Sequence, residues 1–215
     1  MKTTKLLWCG ILSSLLYVVM NILCDIRYEG YNSASQTVSE LSAIGSPVRS
    51  LWVSFAVVHS LLGIAFGLGV WLSAKNTWLQ LAGILLVANS IIGVFWPPMH
   101  QREVLAAGGG TLTDTLHIVF TIISVSVMMV VMVLSAVCLD KPFRVYSAVS
   151  LLVMLVFGIV TALQSPDMEA NLSTPLIGVW ERISIGAYML WIVVLARKMI
   201  RYNPLQLHPI SQKQY

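Results

Sequence analysis

Long apolar runs separated by polar breaks dominate the chain. Six runs reach the length of about 20 residues that crosses a hydrocarbon core. They are roughly Leu6–Cys24, Leu51–Ala74, Trp78–Trp96, Thr115–Leu139, Val145–Leu163 and Leu176–Ile200. The first run lies where a secretory signal would. Its apolar stretch is long, however, and no small-residue cleavage site follows it, so it is read as a retained helix. The six runs leave no room for a separate soluble unit. The pattern predicts an all-α polytopic membrane protein: one six-helix transmembrane bundle over residues 1–215.

The breaks differ in length. Lys75-Asn76-Thr77 and Asp140-Lys141-Pro142-Phe143 are short turns that pair the second span with the third and the fourth with the fifth. On the other side lie the longer loops Asp25–Ser50, Pro97–Asp114 and Gln164–Pro175, the kind of segment on which sites usually form. Thr37 and Glu40 have the spacing of a capping box, which predicts a short helix ended by Gly45. Ser46 is read as the cap of the second span, with Pro47 in its first turn. Thr111 or Thr113 caps the fourth span, and Thr174 with Pro175 opens the sixth. Gly108-Gly109-Gly110 reads as a flexible span suited to a lid.

Charge sharpens this picture. The chain is 57% hydrophobic and 10% charged, against roughly 25% charged in a soluble domain. Nine basic residues (Lys2, Lys5, Lys75, Lys141, Arg144, Arg197, Lys198, Arg201 and Lys213) fall on the short-turn side. Four (Arg27, Arg49, Arg102 and Arg182) fall on the long-loop side. Because cytoplasmic loops carry the excess of Lys and Arg, the N and C termini are expected to be cytoplasmic. The long loops then face outward from the inner (plasma) membrane. The basic rim implies membrane lipids as partners and no nucleic acid; a homo-oligomer is compatible with the pattern. Cys9, Cys24 and Cys138 show no CxxC spacing, which argues against a thiol oxidoreductase.

The acids are the mirror image. Eight of nine, all but Asp140, lie at or near the long-loop face, with His59, His100 and His117 toward it. Ionisable groups at one depth of a membrane protein mark a functional site by default. Several have ordinary explanations. Glu40 is read either as a capping residue or as a site residue. Asp114 in a first helical turn suits the helix dipole. Asp114 and His117 share a helix face that Thr121 and Ser124 continue inward. Glu181 and Arg182 lie within the sixth span, where a charge costs about 2.5–3.5 kcal/mol. They point about 100° apart, so each is expected to reach a different neighbour, with Asp114 a partner for Arg182. Ser39 and Ser42 are hydroxyls in the first loop, but the sequence pairs no base with either. Asn89 is read as an interhelical hydrogen-bonding group, Gly63 and Gly67 as a close-packing motif, and Trp52, Trp78 and Trp96 as interfacial belt.

These motifs together resemble a known family. Tyr31-Asn32 with Ser39-Glu40-Leu41-Ser42-Ala43-Ile44-Gly45-Ser46-Pro47, Phe95-x-Pro97, Asp114-x-x-His117 and Gly178-x-x-Glu181-Arg182 are similar to a bacterial and archaeal membrane family called domain of unknown function 998. The resemblance covers nearly the whole chain. It implies an integral membrane protein with its polar motifs on one side, and it brings no established reaction. The family usually carries an acid near the turn after the third span, where this chain has Met99-His100.

The residues lead to an outward-facing polar pocket near headgroup depth, acting on a lipid or lipid-linked substrate by hydrolysis or group transfer. His117 or His100 is the expected general base, with Asp114 and Glu181 orienting it or holding a metal. Arg182, Arg102, Glu40 and Ser39 form the expected substrate-binding set, Arg182 and Arg102 as donors to an anionic headgroup. His59 and His117 are candidate ligands of a divalent metal. The alternatives are a small-molecule or proton-coupled transporter, a haem protein with His59 and His117 as axial ligands, and a non-catalytic scaffold.

Overall fold

The computed structural model describes residues 2–202, so Lys213 of the basic set lies outside the described residues. Eight helices follow one another: α1 (Lys2–Arg27), α2 (Val38–Leu41), α3 (Arg49–Ser73), α4 (Thr77–Val94), α5 (Arg102–Ala106), α6 (Leu112–Cys138), α7 (Lys141–Glu169) and α8 (Ile177–Tyr202). Six of them are long and apolar enough to cross a membrane. The two short ones, α2 and α5, lie in the long loops. Leu15, Leu61, Leu72, Ile122, Leu152 and Leu163 are exposed although fully apolar. That is expected where the surrounding solvent is hydrocarbon, because lipid solvates such side chains as well as a core does.

Capping follows the short-turn chemistry. Asn76 accepts from the backbone N–H of Leu79 and starts α4. Asp140 accepts from Phe143 and starts α7, with proline in the first turn. Asp140 also pairs with Lys198, whose hydrogen bond holds the carboxyl below its ordinary range. The GxxxG expectation is met on α3: a Cβ on Gly67 would lie 2.9 Å from the Gly83 carbonyl of α4. Asn89 accepts from Ser124 at 2.6 Å, joining α4 to α6.

Four details depart from the sequence reading. The fifth span does not stop at Leu163, because α7 continues through Pro166 to Glu169. Asn171 then turns left-handed at φ 52°, and Leu172 donates back to the Asp167 carbonyl. This is a Schellman-type ending, in which asparagine substitutes for the usual glycine. The N-cap of α3 is Val48 rather than Ser46; the Ser46 hydroxyl accepts the Val48 N–H at 3.4 Å just ahead of the helix and donates to the Leu41 carbonyl. The glycine triplet begins as a hydrogen-bonded turn that closes α5, with Gly109 donating to the Val104 carbonyl. Trp52 is buried beside Tyr17, and Trp96 packs on His117, so of the three belt candidates Trp78 is the exposed one.

The long-loop end is seated on α8 through a glycine. Gly178 donates to the Ala34 carbonyl at 2.9 Å. A Cβ at Gly178 would lie 2.2 Å from the Gln36 carbonyl oxygen and 2.4 Å from that of Ser33. Gly186 on the same helix has nothing within 4 Å of its Cβ position. Gly178→Ala should therefore lower the unfolding midpoint in detergent, by an overpacking penalty of about 1–3 kcal/mol. Gly186→Ala should leave it unchanged or raise it. Equal behaviour of the two variants would contradict the seating.

Candidate functional site

The first loop is held in place by charge. Glu40 is fully buried, and Arg102 is nearly so. The Arg102 Nε donates to Glu40 Oε1 at 2.7 Å and its Nη2 to Oε2 at 2.9 Å, a bidentate pair. Glu40 also accepts the Thr37 backbone N–H at 2.6 Å, completing the capping box of α2. Arg102 further donates to the Thr174 hydroxyl and the Ser35 carbonyl. The hydrogen bond that Arg102 donates to Glu40 pushes the Arg102 pKa above its ordinary value. Glu40 thus caps α2 and ties the first long loop to the second.

Glu181 and Arg182 grip the same loop from α8. Glu181 Oε2 accepts from the Val38 N–H, at the first residue of α2. Arg182 Nη1 donates to the carbonyls of Ser33, Gln36 and Gly178 at 2.8, 3.1 and 3.0 Å. Its Nη2 donates to the Tyr31 hydroxyl at 2.6 Å, and that hydroxyl donates onward to the Thr37 carbonyl at 2.7 Å. Burial pushes the Tyr31 phenol up, with Arg182 opposing, so the phenol keeps the proton it donates. Glu181 and Arg182 do take different partners, as their 100° offset requires. The expected partner Asp114, however, is elsewhere.

Asp114 belongs to His100. Its Oδ1 accepts the His100 backbone N–H at 2.6 Å, and its Oδ2 faces His100 Nδ1 at 2.9 Å. Oδ2 also accepts from Thr111 and closes the capping box of α6. The two residues tie the turn after α4 to the start of α6, close to the bridge where Ile44 donates to the Met99 carbonyl.

His117 is buried and makes a different set of contacts. Its Nδ1 lies 2.8 Å from the Pro97 carbonyl oxygen. Two acceptors at that separation would repel, so the hydrogen is assigned to Nδ1, which donates to Pro97. Trp96 Nε1–H also reaches Nδ1, at 3.1 Å, across a perpendicular ring contact, and the shorter contact with Pro97 sets the tautomer. In this tautomer Nε2 carries the lone pair. It faces the Ser39 hydroxyl at 3.1 Å. The sequence placed Ser39 among substrate-binding residues; the fold sets its hydroxyl against an imidazole nitrogen, a neighbour that the sequence did not pair with it.

Ser39 opens onto a cavity of about 340 Å³ inside the bundle, whereas His117 stands behind it, off the lining. That volume is in the range of small-molecule sites. The polar part of the lining includes Ser13, Tyr17, His59, Asn89, Thr121, Ser124, Glu181 and Tyr188. Thr121 and Ser124 line it as the stripe on α6 requires. His59 is tied to α1, with Nδ1 3.0 Å from the Ser13 hydroxyl and its ring tilted on Tyr17. The expected convergence of His59 and His117 on a metal does not form. Among the described residues no three His, Cys, Asp or Glu side chains are grouped to hold one, and both ring nitrogens of His117 are engaged.

The fold and the cavity define a multi-pass integral membrane protein. The family described as protein of unknown function (DUF998) matches residues 11–198, and the chain belongs to that family. The match takes in Ser39, His117 and all the loops between the spans. No curated protein and no solved structure matches the chain.

The buried pair gives a stability test. Arg102→Met leaves the Glu40 carboxylate enclosed without its cation and should cost about 3–5 kcal/mol. Removing both charges, as in Glu40→Gln with Arg102→Met, should cost less than Arg102→Met alone. Unfolding midpoints in detergent check this ordering.

Proposed function

We propose that this protein is a serine-dependent hydrolase or acyl transferase of the membrane, working on a lipid-like substrate at its acid-rich end, which faces outward. The observation that carries this reading is the ordered contact series from the Ser39 hydroxyl to His117 Nε2 and from His117 Nδ1–H to the Pro97 carbonyl. Nucleophile, base and orienting group within hydrogen-bond reach are the signature of nucleophilic catalysis. Here the third group is a backbone carbonyl where a carboxylate often stands. It fixes the tautomer and supports the imidazolium through its dipole.

In this mechanism the Ser39 Oγ attacks the carbonyl carbon of an acyl ester while His117 Nε2 takes the hydroxyl proton. The tetrahedral centre collapses, the bond to the leaving alcohol breaks, and that alcohol takes the proton from Nε2. The acyl group remains on Ser39. Water then gives its proton to Nε2 and attacks the acyl carbon, which releases the carboxylic acid and returns the hydrogen to Ser39. An acceptor hydroxyl in place of that water gives acyl transfer. Glu181 is a positioning residue: by holding the Val38 N–H it fixes the start of the helix that carries Ser39.

The apolar floor of the cavity supports a lipid-like substrate. Phe66, Leu86, Met128, Met154 and Ile192 line its deep part. Below them, Leu7, Val70, Met132 and Leu195 belong to the buried core, which favours a dead-end pocket over a through-path.

Purified protein in dodecyl maltoside should hydrolyse p-nitrophenyl esters of medium and long acyl chains. Ser39→Ala removes a hydroxyl whose hydrogen-bond partner among the described residues is His117, so it should fold with an unchanged midpoint and lose turnover. Loss of the base in His117→Gln should lower the rate about 10²–10⁴-fold. No turnover above buffer, or turnover that survives Ser39→Ala, would overturn the reading.

A further inference from the structure

The cavity that Ser39 faces also holds a cation whose Nε has no partner among the described residues. Arg49, the first residue of α3, lines its acid-rich end together with Ser42 and Trp52. The Arg49 Nε is enclosed and makes no hydrogen bond among the described residues. The two arginines that the sequence assigned to an anionic headgroup are bound inside the protein, Arg102 to Glu40 and Arg182 to the first loop. Arg49 is therefore the arginine in this cavity that is free to take a ligand.

Its placement does not serve the fold. A guanidinium in the first turn of a helix meets the positive end of the helix dipole and is disfavoured there. The enclosed Nε–H, with no acceptor among the described residues, adds a desolvation cost for that donor. An anion in the cavity removes both penalties at once, since the guanidinium fork and the helix end both attract it.

The cavity also has direction. On α3 its lining runs from Arg49 to Phe66, about 25 Å of helix at 1.5 Å per residue. The cation stands at one end and the apolar floor at the other, with Ser39 on the wall near the cation's end. We infer that Arg49 is the anion subsite of this cavity, and that its ligand is an amphiphile with a phosphate or carboxylate head and an apolar chain directed toward Phe66. This deepens the hydrolase reading and rests on it for the chemistry done at Ser39. In that chemistry the scissile acyl bond lies between the anionic head and the chain.

The test is binding to Ser39→Ala protein in dodecyl maltoside, so that turnover plays no part. Dodecyl phosphate, the uncharged alcohol dodecanol and inorganic phosphate are titrated by calorimetry. Dodecyl phosphate should bind saturably and at least about tenfold more tightly than either of the others. Adding Arg49→Gln should weaken it about tenfold or more, and Arg49→Lys should restore part of the loss, because it keeps the charge without the fork.

Equal binding of dodecyl phosphate and dodecanol would overturn the inference without recourse to a variant. Equal binding of dodecyl phosphate by Arg49→Gln would overturn it as well. Inorganic phosphate binding as tightly as dodecyl phosphate would remove the chain from the proposal and refute the amphiphile. Esterase activity with no Arg49-dependent binding would sink the subsite and leave the serine reading standing. Arg49-dependent binding in a protein without esterase activity would keep the subsite and remove the nucleophile.

Discussion

The Glu40–Arg102 pair is the constraint on which the rest of the acid-rich end depends. A buried carboxylate is tolerated only when its lone pairs are met by donors and its charge by a cation. Glu40 meets this condition with donors from Thr37 and Gln36 on its own loop and from Arg102 on the next. The pair therefore couples two loops that no covalent feature joins. Once they are coupled, α2 has one seat, and Ser39 faces His117 as a consequence. The energy of the pair need not be net stabilising against an apolar replacement; its effect is to select one arrangement of the loops.

The remaining polar groups extend this logic. Arg182 and Tyr31 neutralise the carbonyls of the first loop, and Glu181 caps the start of α2 from the neighbouring helix. Asp114 and His100 fix the turn after α4, which is the turn that presents the Pro97 carbonyl to His117. Charges that look like a binding set are thus mostly scaffold. They hold a small neutral pair, a serine and an imidazole, at the wall of an intramembrane cavity. Arg49 is the exception, and that exception is what gives the cavity a polarity.

Much of the fold was legible because lipid imposes a simple rule: each span must satisfy its own backbone and present apolar side chains. Hydropathy found all six spans for that reason. It failed where α7 continues through Pro166, since a proline beside Asp167 and Glu169 reads as loop, and the signal for the true end was the single residue Asn171. The capping box at Thr37 and a threonine cap at the start of α6 were legible because they are local. The partners across loops were not. Ser39 and His117 are 78 residues apart, and the group that orients His117 is a backbone carbonyl, which every residue has. Depth alone could gather His100, His117, Asp114, Glu181 and Arg182 at one end, but depth does not assign pairs. It joined Asp114 to His117 and Arg182, whereas packing joins Asp114 to His100 and leaves His117 for Ser39.

The central claim is that Ser39 is a nucleophile activated by His117. Its most direct measurement is the intact mass of the purified protein after incubation with an alkyl fluorophosphonate. The account predicts one phosphonyl adduct, mapped by peptide sequencing to Ser39 and lost in His117→Gln. An unmodified protein, or an adduct carried by another residue, would contradict it.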